Sequence, residues 1–291
     1  MNTEGAAHVT EQSMHLNGWG IPGDYRPRQF ASLWQDAPRD WREQLGATLD
    51  RSSGNSQLSV FFRADDIGAG GRAFEALCGL FRHHEVPLAM AVVPAWLSDI
   101  RRKQLFRSAP LDEPFWAWHQ HGWRHVNWQR SGKKSEFGEQ RPIEKQMKDI
   151  SQGNQKMEDL FGKHLLKVFT PPWNRLSAST LKILQELGFS GVSLAGPFPR
   201  GVKPSVLLPN LRIQIDLHTR KAKDGAADFQ GLMDEFATLS VKKEPVGIMI
   251  HHHRMTRFAF EFLDELLRLL KHHTGTRLLS FREILERNDA E

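Results

Sequence analysis

Apolar residues along the chain fall into short runs that alternate with longer stretches of helical spacing. LSVFFRA (58–64) is β-branched and aromatic and reads as a buried strand; VPLAMAVVP (86–94) is a second, ending at a proline. Further strands are expected at FWAWHQH (115–121), LKVFTPP (166–172), 190–195, 211–217, VGIMIHHH (246–253) and TRLLSF (276–281). Between them lie segments with apolar residues three and four apart, the signature of amphipathic helices. These are 71–84, 96–107, 142–162, 177–188, 227–240 and 258–273. A proline opens the 142–162 helix, and serine and glycine bracket that at 177–188, as start and stop signals do.

Near-continuous apolar strands alternating with helices argue for a parallel sheet covered on its faces. Seven or eight such units between residues 58 and 291 suit a distorted (β/α) barrel better than an open sheet. Upstream, residues 1–57 are polar and rich in turn formers, with one helical pattern at DAPRDWREQLGATL (36–49) and scattered aromatics at Trp19, Tyr25, Phe30, Trp34 and Trp41. Aromatics of that size do not belong on a free tail, so 1–57 is expected to pack as an extension on a catalytic domain spanning 58–291.

The polar residues gather at one end of the strands. RADDIG follows the first, HGWRH the third, PPWNR the fourth, and HHHR ends the seventh. In a parallel barrel the carboxyl ends of the strands form one face, where active sites are built. Neighbouring strand residues point to opposite faces, so for Asp65 and Asp66 to share a site the chain must bend, which Gly68, Gly70 and Gly71 would permit. His121 and His125 are four apart, a spacing that aligns two imidazoles on a helical turn. Of His251, His252 and His253, alternation lets at most two share a face. One carboxylate and two histidines form a facial ligand set for a divalent ion, zinc first, with nickel or cobalt as alternatives. A second carboxylate and a distant histidine complete what metal-assisted hydrolysis needs.

Composition narrows the partners. Of 291 residues, 40% are hydrophobic and 25% charged, enough to bury a sizeable core without staples. The single Cys78 sits in the helical pattern FEALCGLF and reads as a buried thiol, so no intramolecular disulfide forms. No targeting segment or apolar run of membrane-spanning length stands out, and a cytoplasmic location is the expectation. The net charge of +5 is dispersed, unlike a nucleic-acid-binding patch. Its one concentration is 200–223, where Arg200, Lys203, Arg212, Arg220, Lys221 and Lys223 form either a solvated face or an anion site.

The ordered set Asp-Asp, His-x-x-x-His, Pro-Pro-Trp and an apolar strand ending in histidine resembles the polysaccharide deacetylases (NodB homology, carbohydrate esterase 4). The resemblance covers roughly residues 58–285; HQHGWRHVN, KKSEFG, FTPPWNR and HHHR look most like a bacterial subgroup without leader sequences. It implies a barrel-fold, metal-dependent hydrolase that removes acetyl from an N-acetylated sugar, which the expected compartment would supply as a nucleotide-linked, lipid-linked or small soluble form. By motif position, it makes Asp65 the catalytic base, His251 the general acid, and Asp66, His121 and His125 the metal ligands. Trp173, with Asn174 and Arg175 beside it, would line the sugar groove. The family's third motif carries an arginine before its prolines, where Thr170 stands here; Arg63 or Arg175 is the candidate replacement. Asp216 is the candidate for the fourth motif, and His119 shares strand parity with His121, so either could support the site from behind. The departures leave two alternatives: a hydrolase of other C–N bonds such as cyclic amides, or a carbohydrate-binding homologue without turnover.

Overall fold

Strands form where the apolar runs lie: β1 (Leu58–Ile67), β2 (Leu88–Val92), β3 (Trp116–His121), β4 (Leu165–Thr170), β5 (Gly191–Val192), β6 (Ile213–Asp216), β7 (Val246–Ile250) and β8 (Thr276–Leu278). The computed structural model describes residues 21, 25–52, 58–200, 202, 208–238 and 244–288. Every strand pairing among them is parallel, in the order β5-β4-β3-β2-β1-β7-β6, with β8 beside the start of β1. Leu211 N donates to Val192 O at 2.8 Å and Ile213 N to Leu194 O at 2.9 Å, so the approach to β6 bonds to β5. The sheet thereby curls into a distorted (β/α) barrel, the architecture expected from the strand count.

Helices α1 (Trp41–Ser52), α2 (Arg72–His83), α3 (Asp99–Ser108), α4 (Ile143–Phe161), α5 (Ala178–Glu186), α6 (Gly225–Ala237) and α7 (Arg257–His272) match the helical patterns within a few residues. Residues 239–240, the end of one expected helix, lie outside the described residues. An eighth helix, α8 (Phe281–Asn288), begins where the last strand was expected to end. Its apolar residues plug the foot of the barrel: Phe281 meets Phe61 edge-on at 5.5 Å, and Ile284 joins the same interior cluster.

Alternation along β1 explains how the barrel presents polar groups. Val60, Phe62 and Ala64 face the helices in the main core, while Phe61 lies in the interior cluster. The interior face continues from Phe61 through Arg63 to Asp65, moving from the apolar foot toward the carboxyl end. The described part of the N-terminal region packs on the barrel. Trp34 is fully buried, donates from Nε1 to Leu217 O at 2.6 Å, and meets Phe258 and Phe262 edge-on. Trp41 lies on the same two phenylalanines. Trp19, among the aromatics noted in the sequence, lies outside the described residues.

Candidate active site

Two adjacent carboxylates at the end of β1 sit in different surroundings. Arg63 grips Asp65 with both arms of its guanidinium, Nε to Oδ1 at 2.7 Å and Nη2 to Oδ2 at 2.8 Å. Arginine at i and aspartate at i+2 share a strand face, which is why the pair closes inside the barrel. The remaining donors of Arg63 reach Ser193 O at 3.0 Å, Ser193 Oγ at 2.7 Å and Asn174 Oδ1 at 2.7 Å. Both partners are buried, at 0% and 2% exposure, so the charges are satisfied within the protein. Burial alone would raise the Asp65 carboxyl, but the Arg63 charge and hydrogen bonds, together with His121 and His251, hold it below its ordinary value.

Asp66 reaches the same side of the sheet because its own backbone is left-handed, with φ 61. The bend expected of the following glycines falls on the aspartate, whose short polar side chain tolerates that conformation. The register with β2 slips between Ala64 and Ile67 as a result. Asp66 Oδ1 then lies 3.2 Å from His121 Nε2 and 3.1 Å from His125 Nε2.

His121 ends β3. Its Nδ1 lies 3.0 Å from Thr170 O, a carbonyl that can only accept, so that nitrogen carries the hydrogen. Nε2 is thereby left to face the carboxylate: it donates to Asp66 when the ring is protonated, a form that contact with Asp66 favours against burial, and it would turn a lone pair to a metal ion when the ring is neutral. With His125, three ligand atoms lie within 4.8 Å of one another. Two imidazole nitrogens and one carboxylate oxygen, one ring oriented from behind, suit a divalent transition metal.

The two histidines do not share a helical turn. The chain after β3 is a loop with Gly122 at φ 56 and His125 at φ 60, and it doubles back to bring the rings together at 5.2 Å. Glu136 holds that loop. Its buried carboxylate accepts from the backbone N–H groups of Trp123, Arg124 and His125 at 3.3, 2.8 and 3.1 Å. Only glycine suits position 122, because a Cβ there would collide with Glu136 and Pro172 as well as meet the positive φ.

Beyond β4, Trp173 and Asn174 are both left-handed, with φ 59 and 55. The Trp173 ring lies 4.4 Å from that of His125, forming a wall beside the ligand set. At the end of β7, His251 Nε2 and His253 Nε2 lie 3.9 and 3.8 Å from Asp66 Oδ2. His252 between them turns away onto Phe74. The backbone N–H of His251 donates to His218 Nδ1 at 3.2 Å, while its own buried Nδ1 has no partner. Burial also raises Asp66, but hydrogen bonds from His121 and His125 reverse this and hold it far below the carboxylate range.

Residues 56–192 match the polysaccharide deacetylase family. A little under half of the chain is thus similar to the polysaccharide deacetylases. Solved structures agree in fold. A structure assigned to a polysaccharide deacetylase from Mycobacterium smegmatis aligns with TM-score 0.58 at 15% identity, covering 81% of this chain and 92% of its own. Another, from Pseudomonas aeruginosa PAO1, aligns with TM-score 0.55 at 14% identity, covering 80% and 90%. No curated protein matches the chain in sequence.

The structure brings Asp65, Asp66, His121, His125, His251 and Trp173 together at one barrel mouth. Of the two candidate replacements for the missing arginine, Arg63 contacts Asp65 and Arg175 does not. Arg175 is exposed and donates to Lys134 O at 3.0 Å. Asn174 turns to Arg63. Asp216 caps the turn after β6, accepting from the N–H groups of His218 and Thr219 at 3.0 and 2.9 Å. His119 is fully buried one layer below, bonded to Thr170 Oγ1 at 2.9 Å and stacked near Phe281. Burial pushes it down to about 3, so it stays neutral. The basic stretch offers less than its composition suggested. Arg220 is tied to Asp228 at 2.8 Å and to Glu235 at 2.9 Å, and Lys203 lies outside the described residues. Sequence reading missed two residues at the site: Glu136, within the quoted KKSEFG, and His253, which alternation with His251 signalled.

Proposed function

We propose that this chain is a metal-dependent N-deacetylase acting on an N-acetylated sugar. The observation that carries this reading is the side-by-side placement of an Asp66–His121–His125 cluster able to hold a metal ion and an Asp65 carboxylate held by Arg63. Asp66, His121 and His125 would hold a divalent ion, zinc by preference for this donor set. The chemistry such an ion supplies when bound is Lewis-acid polarisation of an amide carbonyl and acidification of water.

The chain's own residues do the rest. Asp65 accepts the proton of the attacking water. Its lowered pKa makes it a weak base, but a fully ionised one in fixed orientation, which serves when the water is already acidified. Arg63 fixes both oxygens of Asp65 and excludes water behind it. His251, 3.9 Å from Asp66, delivers a proton to the departing amine. Trp173 offers an aromatic face to a pyranose ring. Atoms balance as amide plus water giving acetate and a free amino sugar.

Arg63 also bears on the alternatives. The missing arginine before the prolines was the feature favouring another C–N hydrolase, and Arg63 restores a guanidinium to the base from a different strand. The test is acetate release from a panel of N-acetyl sugars, scored beside elemental analysis of the purified chain. Stoichiometric divalent metal and acetate release are expected. Metal-free protein with full turnover, or release confined to cyclic amides, overturns the reading.

A further inference from the structure

The metal-ligand cluster opens sideways into a cleft of about 900 Å³ whose charge is unbalanced. Asp66 lies at one edge, Trp96 forms part of the wall, and Arg26, Arg28, Arg72 and Arg101 complete the charged lining. Among the described residues, Asp66 is the only carboxylate in that lining, and it is already engaged by His121 and His125. Among the described residues, none of the four arginines forms an ion pair; Arg101 bonds only the carbonyl of Trp96, at 2.9 Å.

Two sequence-distant segments assemble this patch. Arg26 and Arg28 come from the N-terminal region, Arg72 and Arg101 from the starts of α2 and α3. Arg72 is the first residue of α2, a poor place for a cation because the free N–H groups there already carry positive potential. Gly71 before it provides no side-chain cap. Four unneutralised guanidinium groups beside uncapped backbone donors make a surface that lacks an anion. Trp96 links cleft and metal cluster: its ring lies 5.8 Å from His125, and its Nε1 donates to Arg124 O.

We propose that this cleft is an anion subsite and that the substrate is an N-acyl sugar bearing a phosphate or diphosphate, its amide at Asp66 and its phosphate among Arg26, Arg28, Arg72 and Arg101. The inference rests on the deacetylase reading and names its substrate class. A phosphate matches the lining better than a carboxylate, since it offers more acceptor oxygens and up to two charges to several forked donors. The volume suits a hexose with a diphosphate. This places the anion site on the N-terminal side of the barrel mouth, away from the 200–223 stretch, where Arg220 is internally paired.

Binding measured without turnover separates this proposal from the deacetylase reading. Full-length Asp65→Asn protein, titrated calorimetrically, is compared with N-acetylglucosamine, its 1-phosphate, its UDP-linked form and a polyprenyl-diphosphate-linked form in detergent. At least one charged form is expected to bind about ten-fold or more tighter than the uncharged sugar, and which one identifies the source of the phosphate. That preference should shrink with added salt and disappear in Arg28→Gln/Arg72→Gln, two exposed positions, with circular dichroism checking that the fold is kept. Equal affinity for all four ligands, or a preference surviving the double substitution, overturns the subsite. Absence of acetate release from every sugar by the wild-type protein, with the preference intact, overturns the deacetylase reading alone.

Discussion

Asp65 and Asp66 are neighbours on one strand, yet the protein surrounds them oppositely. Asp65 faces one guanidinium, which takes both of its oxygens. Asp66 faces four imidazoles, from His121, His125, His251 and His253, none of which is permanently charged. A fixed cation finishes the first carboxylate; the second is left needing one. On the proposed reading, the same residue type serves as a held base on one side and a ligand on the other, with the environment deciding.

Exchanging the carboxylates one at a time gives the largest test of that contrast. Asp65→Asn should retain metal at wild-type stoichiometry while turnover falls about 10³-fold or more, as for loss of a general base. Asp66→Asn should lose both metal and turnover. If Asp65→Asn strips the metal, or Asp66→Asn keeps it, the division of roles is wrong.

Arg63 offers the next cut. Replacing it with Gln leaves Asp65 buried without its counter-charge, which typically costs about 3–5 kcal/mol. Urea unfolding should show this loss, together with reduced turnover and unchanged metal content. Arg175→Gln, at an exposed position bonded only to a carbonyl, should shift stability by less than about 0.5 kcal/mol. Equal effects of the two would remove Arg63 from its assigned place.

On the histidine side, Glu136→Gln attacks the loop rather than a ligand. It takes the charge from a carboxylate that gathers three backbone N–H groups around His125. Metal affinity should fall about 10–100-fold, as when groups behind metal ligands are altered. Competition with a chromogenic chelator reads this directly, and unaltered affinity would show that the loop holds itself.

These residues also show what the sequence could convey. Strand ends were legible because apolar runs stop abruptly at RADDIG, HGWRH, PPWNR and HHHR, and parallel strands bring those stops to one face. Arg63 was legible as a candidate because it stands just ahead of the aspartates. The bends were not, since left-handed backbone at Asp66 and His125 leaves no periodic trace, and the sequence pointed to glycines and a helical turn. Glu136 escaped because its partners are backbone N–H groups, which any loop possesses. The helix α8 escaped because LLSF reads as strand until Phe281 is seen to plug the barrel.

Acid should separate the two sides by the smallest but cleanest margin. Burial, reinforced by neighbouring His253, pushes His252 down to about 3, and burial lowers His218 well below its usual value. Unfolded histidines take up protons near pH 6.5, so between that pH and the folded values the unfolded state binds more protons. Stability therefore falls as pH drops below about 6.5, by about 1.4 kcal/mol per pH unit for each such histidine. Asp65 works the other way. Its folded pKa is lowered, so its stabilisation persists down to the unfolded value near 3.9 and is lost only as pH falls further through the folded one. Urea unfolding of chelator-treated protein at pH 7.5 and 5.5 thus lies above the range in which Asp65 titrates; His121, raised by Asp66 against its burial, opposes the trend, so the comparison is made between variants. His252→Phe keeps an aromatic ring against Phe74 and should lose about 1.4 kcal/mol less than wild type across that interval. Identical losses in the two proteins would mean that His252 is protonated in the folded state, and that the histidine side is open to water where the structure closes it.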